Sequence, residues 1–211
     1  MKSICLLFSL CFAAKLSYPQ DTIQKKETTN TISAYSYVDL NKSDFQSVFW
    51  TSYDHNKFSI EARYNYDWDK TVSLYAGAVL KHKDWKFRLM QGITTGNGNT
   101  GLVISPLSIY NGKKIFIYNS PQVVFSIANM PTYFFHWGEI YYKPADFFWF
   151  GLADRISFDN EGTKDINFGP QVSFVYKELF LNFYYWLPPS HHQFSILLGY
   201  ERSFKRQRRN K

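Results

Sequence analysis

Glu61, Arg63 and Asn65 recur at every second position of the stretch KFSIEARYNYDW, residues 57–68, while Phe58, Ile60, Ala62, Tyr64, Tyr66 and Trp68 hold the other parity. Side chains two apart leave an extended strand on the same face, so this is one charged row backed by one apolar row. A row of mixed charge is what a polar conduit or a ligand site requires. Lys86, Arg88, Glu139, Arg155, Asn167 and Gln171 extend the candidate row onto other strands. Turned into an enclosed space, these residues either select a small polar solute or satisfy one another in a plugged interior, because an ion left alone there is costly. For a narrow barrel mutual satisfaction is the expected state, with Trp137 and Trp149 filling the space beside Glu139 and Arg155.

Covalent chemistry is less well supplied. His192 and Ser195 lie three apart, hence on opposite faces, and cannot form a dyad within one strand. Ser190 beside His191 sits in a loop and could serve a lipid-directed hydrolase, but such adjacency is common by chance. The His191-His192 pair has no further ligand at metal-binding spacing, and His136, on an aromatic strand, reads as an interface residue. Gly96-Asn-Gly-Asn99 lacks the lysine and helix of a phosphate loop. No catalytic residue, metal or cofactor is assigned on these grounds.

The elements that must position the charged row are strands. The chain has 211 residues, 45% hydrophobic and 20% aromatic, with 16 Tyr, 20 Phe and 6 Trp. No long apolar run follows the first twenty residues, so a helical membrane protein, needing about 20 consecutive apolar residues per span, is excluded. Alternation predicts strands at 32–40, 46–53, 57–68, 71–81, 85–95, 101–110, 114–127, 132–142, 147–158, 166–176, 179–186 and 193–204. Pro106 and Pro121 mark expected bulges or bends. Alternate links are short (55–57, 82–84, 111–113, 143–145, 177–178). The others are on average longer (41–45, 96–100, 128–131, 159–164, 187–192), apart from the compact Asp69-Lys70.

Short turns at one end and longer loops at the other are the pattern of an outer-membrane barrel with both termini on the short-turn side. The expected fold is thus all-β: a closed, up-and-down, antiparallel transmembrane β-barrel of about twelve strands, with ten as the alternative. Trp68, Trp85, Tyr142, Tyr176 and Trp186 lie near strand ends, where an interfacial aromatic girdle belongs. Twelve strands also exceed the eight or so of a soluble lipocalin-like barrel that binds an apolar ligand.

The ends of the chain have their own composition. Lys2, the apolar run Ile4–Leu10 and Cys11-Phe12-Ala13 read as an export signal over residues 1–20, cleaved between 13 and 20. Both cysteines, Cys5 and Cys11, fall within it. Residues 21–31 read as a flexible segment, 32–204 as the barrel and 205–211, KRQRRNK, as a basic tail. That tail carries five of the 24 basic residues behind a net charge of +7, leaving the body nearly neutral. Behind an export signal it reads as a solvated terminus near anionic headgroups, and nucleic acid is not an expected partner.

Phe58-Ser-Ile-Glu-Ala-Arg-Tyr-Asn-Tyr66, the strand Trp137-Gly-Glu-Ile-Tyr-Tyr142 followed by Pro144, and the closing strand through Phe204 resemble a family of small, mostly uncharacterised outer-membrane β-barrel proteins of Gram-negative bacteria. The resemblance implies residence in the outer membrane, contact with its lipid, and handling by the barrel-assembly machinery. Such proteins commonly stop at an aromatic residue, whereas seven residues follow Phe204 here. The function expected is a non-enzymatic narrow or plugged channel, or a membrane scaffold with a polar lumen. A lipid hydrolase and an exported soluble barrel are the alternatives.

Overall fold

The computed structural model describes residues 28–40, 45–65, 70–128, 131–162, 164–187 and 193–206. Among them twelve strands close into a barrel, and no helix is present. In chain order they are β1 (Thr28–Leu40), β2 (Phe45–His55), β3 (Phe58–Asn65), β4 (Thr71–His82), β5 (Trp85–Gly96) and β6 (Asn99–Asn111). The second half comprises β7 (Ile115–Ala128), β8 (Tyr133–Ala145), β9 (Phe148–Asp159), β10 (Lys164–Tyr176), β11 (Leu179–Trp186) and β12 (Gln193–Arg206). Each strand pairs antiparallel with its neighbours in sequence, and β1 pairs with β12. Closure gives every backbone ladder a partner on both sides, so no sheet edge is left open.

The alternation in sequence becomes an inside and an outside. On β4, Ser73, Tyr75 and Val79 are buried while Val72, Leu74 and Leu80 are exposed. On β3, Ser59 and Glu61 are buried while Phe58, Ile60 and Tyr64 look outward. On β10, Asn167, Gln171 and Ser173 are buried beneath an outer row of Phe168, Phe174 and Tyr176. The apolar parity is the outer one, the reverse of a barrel that buries it around an apolar ligand. On β1, as with Tyr75 on β4, a tyrosine joins the inner row: Tyr37 lies with Thr31, Ser33 and Asp39 inside while Ile32 and Leu40 face out.

Four differences from expectation bear on the architecture. β1 starts at Thr28, where Thr28 to Thr31 pair with Arg206 to Ser203. The segment expected to be flexible over 21–31 therefore gives its last four residues to the barrel, and the tail gives Lys205 and Arg206. Polarity does not prevent this, since ladder hydrogen bonds are made by the backbone. The link expected over 96–100 is a two-residue turn, with Asn97 at φ 48° and Gly98 at φ 80°, the left-handed pair that a tight hairpin requires. β8 runs on to Ala145 past an irregularity between Tyr142 and Ala145, leaving Asp146 and Phe147 as the turn.

Pro106 is the fourth. The ladder between β6 and β7 is paired from Gly101 to Ile104 and from Ser108 to Asn111, in the same register on both sides of a gap at 105–107 where Pro106 and Pro121 fall, and its shift lies between Thr100 and Gly101. Two residues that cannot donate thus interrupt the pairing locally, as is expected of proline, and the register survives them.

Links on the side of the chain termini are short, as at 56–57, 83–84, 112–114, 146–147 and 177–178. Those at the other end are 41–44, 66–70, 97–98, 129–132, 160–163 and 187–192. The export signal expected over 1–20 and the tail beyond Arg206 lie outside the described residues.

Candidate functional site

Among the described residues the interior holds two ion-paired nodes. Toward the short-turn end, the carboxylate of Glu61 accepts from Arg63 Nε at 2.5 Å and from Arg88 Nη2 at 2.9 Å. Lys86 Nζ lies 2.6 Å from Asp54, which also accepts from Ser59 Oγ at 2.6 Å. Arg88 Nε approaches Asp54 at 3.7 Å, an ion pair without a hydrogen bond. Arg63 continues to Gln122 at 3.1 Å, and its guanidinium stands 4.8 Å from the centre of the Tyr75 ring. Four residues of the sequence-based set, Glu61, Arg63, Lys86 and Arg88, are thereby brought together, with Asp54 joined to them through Lys86 and Arg88.

The second node lies toward the longer links. Arg155 Nη1 donates to Asp39 Oδ2 at 2.9 Å and to the Tyr37 hydroxyl at 3.0 Å. Its Nη2 reaches Gln193 at 3.5 Å, and the guanidinium lies 5.4 Å from the Trp186 ring. The hydroxyls of Tyr37 and Ser195 both donate to Asp39, and the Trp186 indole donates to Ser195 at 2.8 Å. Trp137 meets Tyr37 edge-on at 5.1 Å and packs at 5.6 Å from both Tyr184 and Trp186.

Several of these contacts are chords across the barrel. β1 and β9 are four places apart around the wall, as are β3 and β7, and β1 and β8 are five apart. Arg155–Asp39, Arg63–Gln122 and Tyr37–Trp137 therefore span the lumen.

Of the remaining candidates Glu139, Asn167 and Gln171 face inward, Glu139 bordering the second node and the other two standing apart from both. Glu139 accepts from the Trp137 indole and the Tyr184 hydroxyl, each at 2.7 Å. Asn167 donates to Asp165 at 2.9 Å. Gln171 donates to the Leu152 carbonyl at 2.8 Å, leaving its own buried carbonyl oxygen without a partner. Asn65 closes β3, and its side chain lies outside the described atoms. Trp149 packs inside against Phe116 and Tyr141 at 5.5 and 5.9 Å.

Of the expected girdle, Trp85 stacks on Phe87 at 5.5 Å on the outer wall, and Tyr142 and Tyr176 are exposed there. All three sit at the short-turn end. Trp68 lies outside the described residues. Trp186 is a correction, being fully buried in the second node. Asn182 is the one polar residue of β11, and it sets the inward parity that Tyr184 and Trp186 share. Asp39, Asp54 and Tyr37 were missed, although Thr31, Ser33, Tyr35, Tyr37 and Asp39 form one row on β1. His136 is not an inner residue; it lies on the outer wall beside Asp154. Ser190, His191 and His192 lie outside the described residues, and Ser195 has no histidine among its hydrogen-bond partners there.

The KdgM porin is similar in structure, with a TM-score of 0.57 and 12% identity over 81% of this chain and 98% of that one. The NanC porin matches with a TM-score of 0.59 and 7% identity over 83% of this chain and 100% of that one. Similarity at such identities is one of fold: a closed twelve-stranded antiparallel barrel of the porin type. No family model matches the chain, and no curated protein matches it in sequence.

Proposed function

We propose that this chain is an integral outer-membrane β-barrel, exported by its N-terminal signal, whose lumen is occupied by its own side chains. It acts as a narrow or plugged channel or as a membrane scaffold, and not as an enzyme. The observation that carries this reading is the set of chords across the lumen, Tyr37–Trp137 and Arg155–Asp39 toward one end and Arg63–Gln122 deeper in. An outer wall of exposed Phe, Leu and Ile supports the membrane setting, because a water-facing barrel would put its polar parity there.

One KdgM porin structure holds oligogalacturonate, an acidic sugar chain. Here Arg63, Lys86, Arg88 and Arg155 each contact a carboxylate, which leaves little unpaired positive charge to draw a polyanion. If the channel conducts, a small polar solute is the better fit. The full chain reconstituted in planar bilayers is expected to show events far smaller than those of an open porin with the same number of strands. Joint Tyr37→Ala and Trp137→Ala substitution should enlarge them. Wild-type conductance equal to that of the open porin refutes the plug, and release of the native protein from membranes by carbonate refutes the membrane setting.

A further inference from the structure

The outer wall is apolar along β6 to β10 except at one place. In the ladder register Ser108 lies opposite Asn119, Asn119 opposite Gly138, and Gly138 opposite Asp154. All four sit on the outward parity, in a row crossing the middle of β8 and β9. The ring of His136, two residues before Gly138, lies over that glycine and bridges its neighbours. Its Nδ1 is 2.6 Å from Asp154 Oδ2 and its Nε2 is 2.7 Å from Asn119 Oδ1. Asn119 Nδ2 then donates to Ser108 at 3.3 Å.

Gly138 makes the arrangement possible. A Cβ there would stand 2.4 Å from Asp154 Oδ1 and 2.9 Å from His136 Cε1, so any side chain would push the pair apart. Beside the row is a half-open cavity of about 490 Å³, bordered by Ile117, Ile140, Leu152 and Phe168. The Asp154 side chain keeps 38% of its surface open despite its contact with His136.

A carboxylate on a lipid-facing wall is costly unless something polar meets it, and ionisable groups at such depth mark sites of function. The volume falls in the range of small-ligand pockets, about 300–1,000 Å³. A protein partner would need about 800 Å² of matched surface, whereas the polar groups here are confined to one notch in an otherwise uniform apolar wall. We infer that the notch of Asn119, His136, Gly138 and Asp154 binds a single-chain amphiphile from the bilayer. The amphiphile's hydrogen-bond-donating group, an amine or a hydroxyl, sits on Asp154 and its chain lies against Ile140, Leu152 and Phe168.

This site requires that the outer wall face lipid, as proposed above. The test reconstitutes the full chain in phosphatidylcholine vesicles with spin-labelled octadecylamine, octadecanol or stearic acid. The fraction of label held at the protein is read by electron paramagnetic resonance. Octadecylamine, octadecanol or both should associate at least about threefold more tightly than stearic acid. Preference for the amine alone assigns a charge contact, and preference for both assigns hydrogen bonding. Asp154→Leu should abolish the preference while keeping the heat-modifiable gel shift of a folded barrel.

Asp154→Asn, which keeps the shape, should lose the amine preference and serves if the leucine variant does not fold. Equal association of the three labels in the wild type overturns the site. So does an oligomer that Asp154→Leu dissolves with no label preference, which would make the notch a protein contact. Carbonate release of the wild type would instead bring down the membrane setting itself, and is scored separately.

Discussion

The two charged nodes of the interior solve the same problem with different materials. Around Glu61, charges are compensated by other charges on β2, β3 and β5, strands within three places of one another on one side of the wall. Around Arg155, a single ion pair reaches across the lumen to β1 and is completed by Tyr37, Ser195 and Trp186. The first node ties neighbouring strands together and sends one chord, Arg63 to Gln122, over the lumen; in the proposed plug the second node, whose ion pair is itself a chord, is the main obstruction. Stability and conductance should therefore separate between them, which makes the comparison breakable by substitution.

The largest loss is expected from Glu61→Ala. It leaves Arg63 and Arg88 without the carboxylate that both share, and breaking a buried pair by removing one partner costs about 3–5 kcal/mol. Urea unfolding in lipid vesicles should show a loss in that range, with a smaller change in conductance than Arg155→Ala produces, because Arg63 keeps Gln122. A loss below about 1 kcal/mol would mean that water compensates the arginines and the node is wet. Arg155→Ala should fall at the lower end, about 3 kcal/mol, because Asp39 keeps the hydroxyls of Tyr37 and Ser195. Its distinguishing effect is a rise in conductance in planar bilayers. Destabilisation without that rise would assign the obstruction to the aromatic rings alone.

Much of this was legible in the sequence because alternation is a local property. Phe58, Ile60 and Tyr64 against Ser59 and Glu61 need only the two-residue period to sort into faces, and the twelve strands follow from its repetition. The inward set of Glu61, Arg63, Lys86, Arg88, Arg155, Asn167 and Gln171 follows from the same parity. What parity cannot give is which inward residues meet, since Arg155 and Asp39 are far apart in the chain and are joined only when the barrel closes. It also misleads where both rows are aromatic. In LFLNFYYW, nearness to the strand end pointed to an interfacial Trp186, while the inward parity of Asn182 pointed, correctly, inside. His136 and Asp154 were invisible as a pair because their meeting depends on the empty space at Gly138.

Tyr37→Phe separates the two functions of the second node. The substitution removes the hydroxyl between Arg155 and Asp39 but leaves the ring edge-on to Trp137. A lost hydrogen bond to a buried charged group costs about 1–3 kcal/mol, so a smaller fall in unfolding free energy than for Arg155→Ala is expected, with conductance at the wild-type level. Wild-type stability would show that Ser195 and Arg155 hold Asp39 without help. Raised conductance would show that the ring is positioned by its hydroxyl and not by its packing.

Lys86→Met should have the smallest effect, and it tests how far water enters the first node. Lys86 follows the turn at 83–84 and keeps 18% of its side chain accessible, whereas Arg88 two residues deeper keeps 6%. Methionine preserves the stem and removes the charge, and Asp54 retains Ser59 and the nearby Arg88 as partners. A partly solvated pair is worth about 1 kcal/mol or less, and its contribution is screened by salt. The gap between wild type and Lys86→Met should accordingly be small in low salt and close further at high ionic strength. A salt-independent gap would place Lys86 with Arg88 in the dry part of the wall.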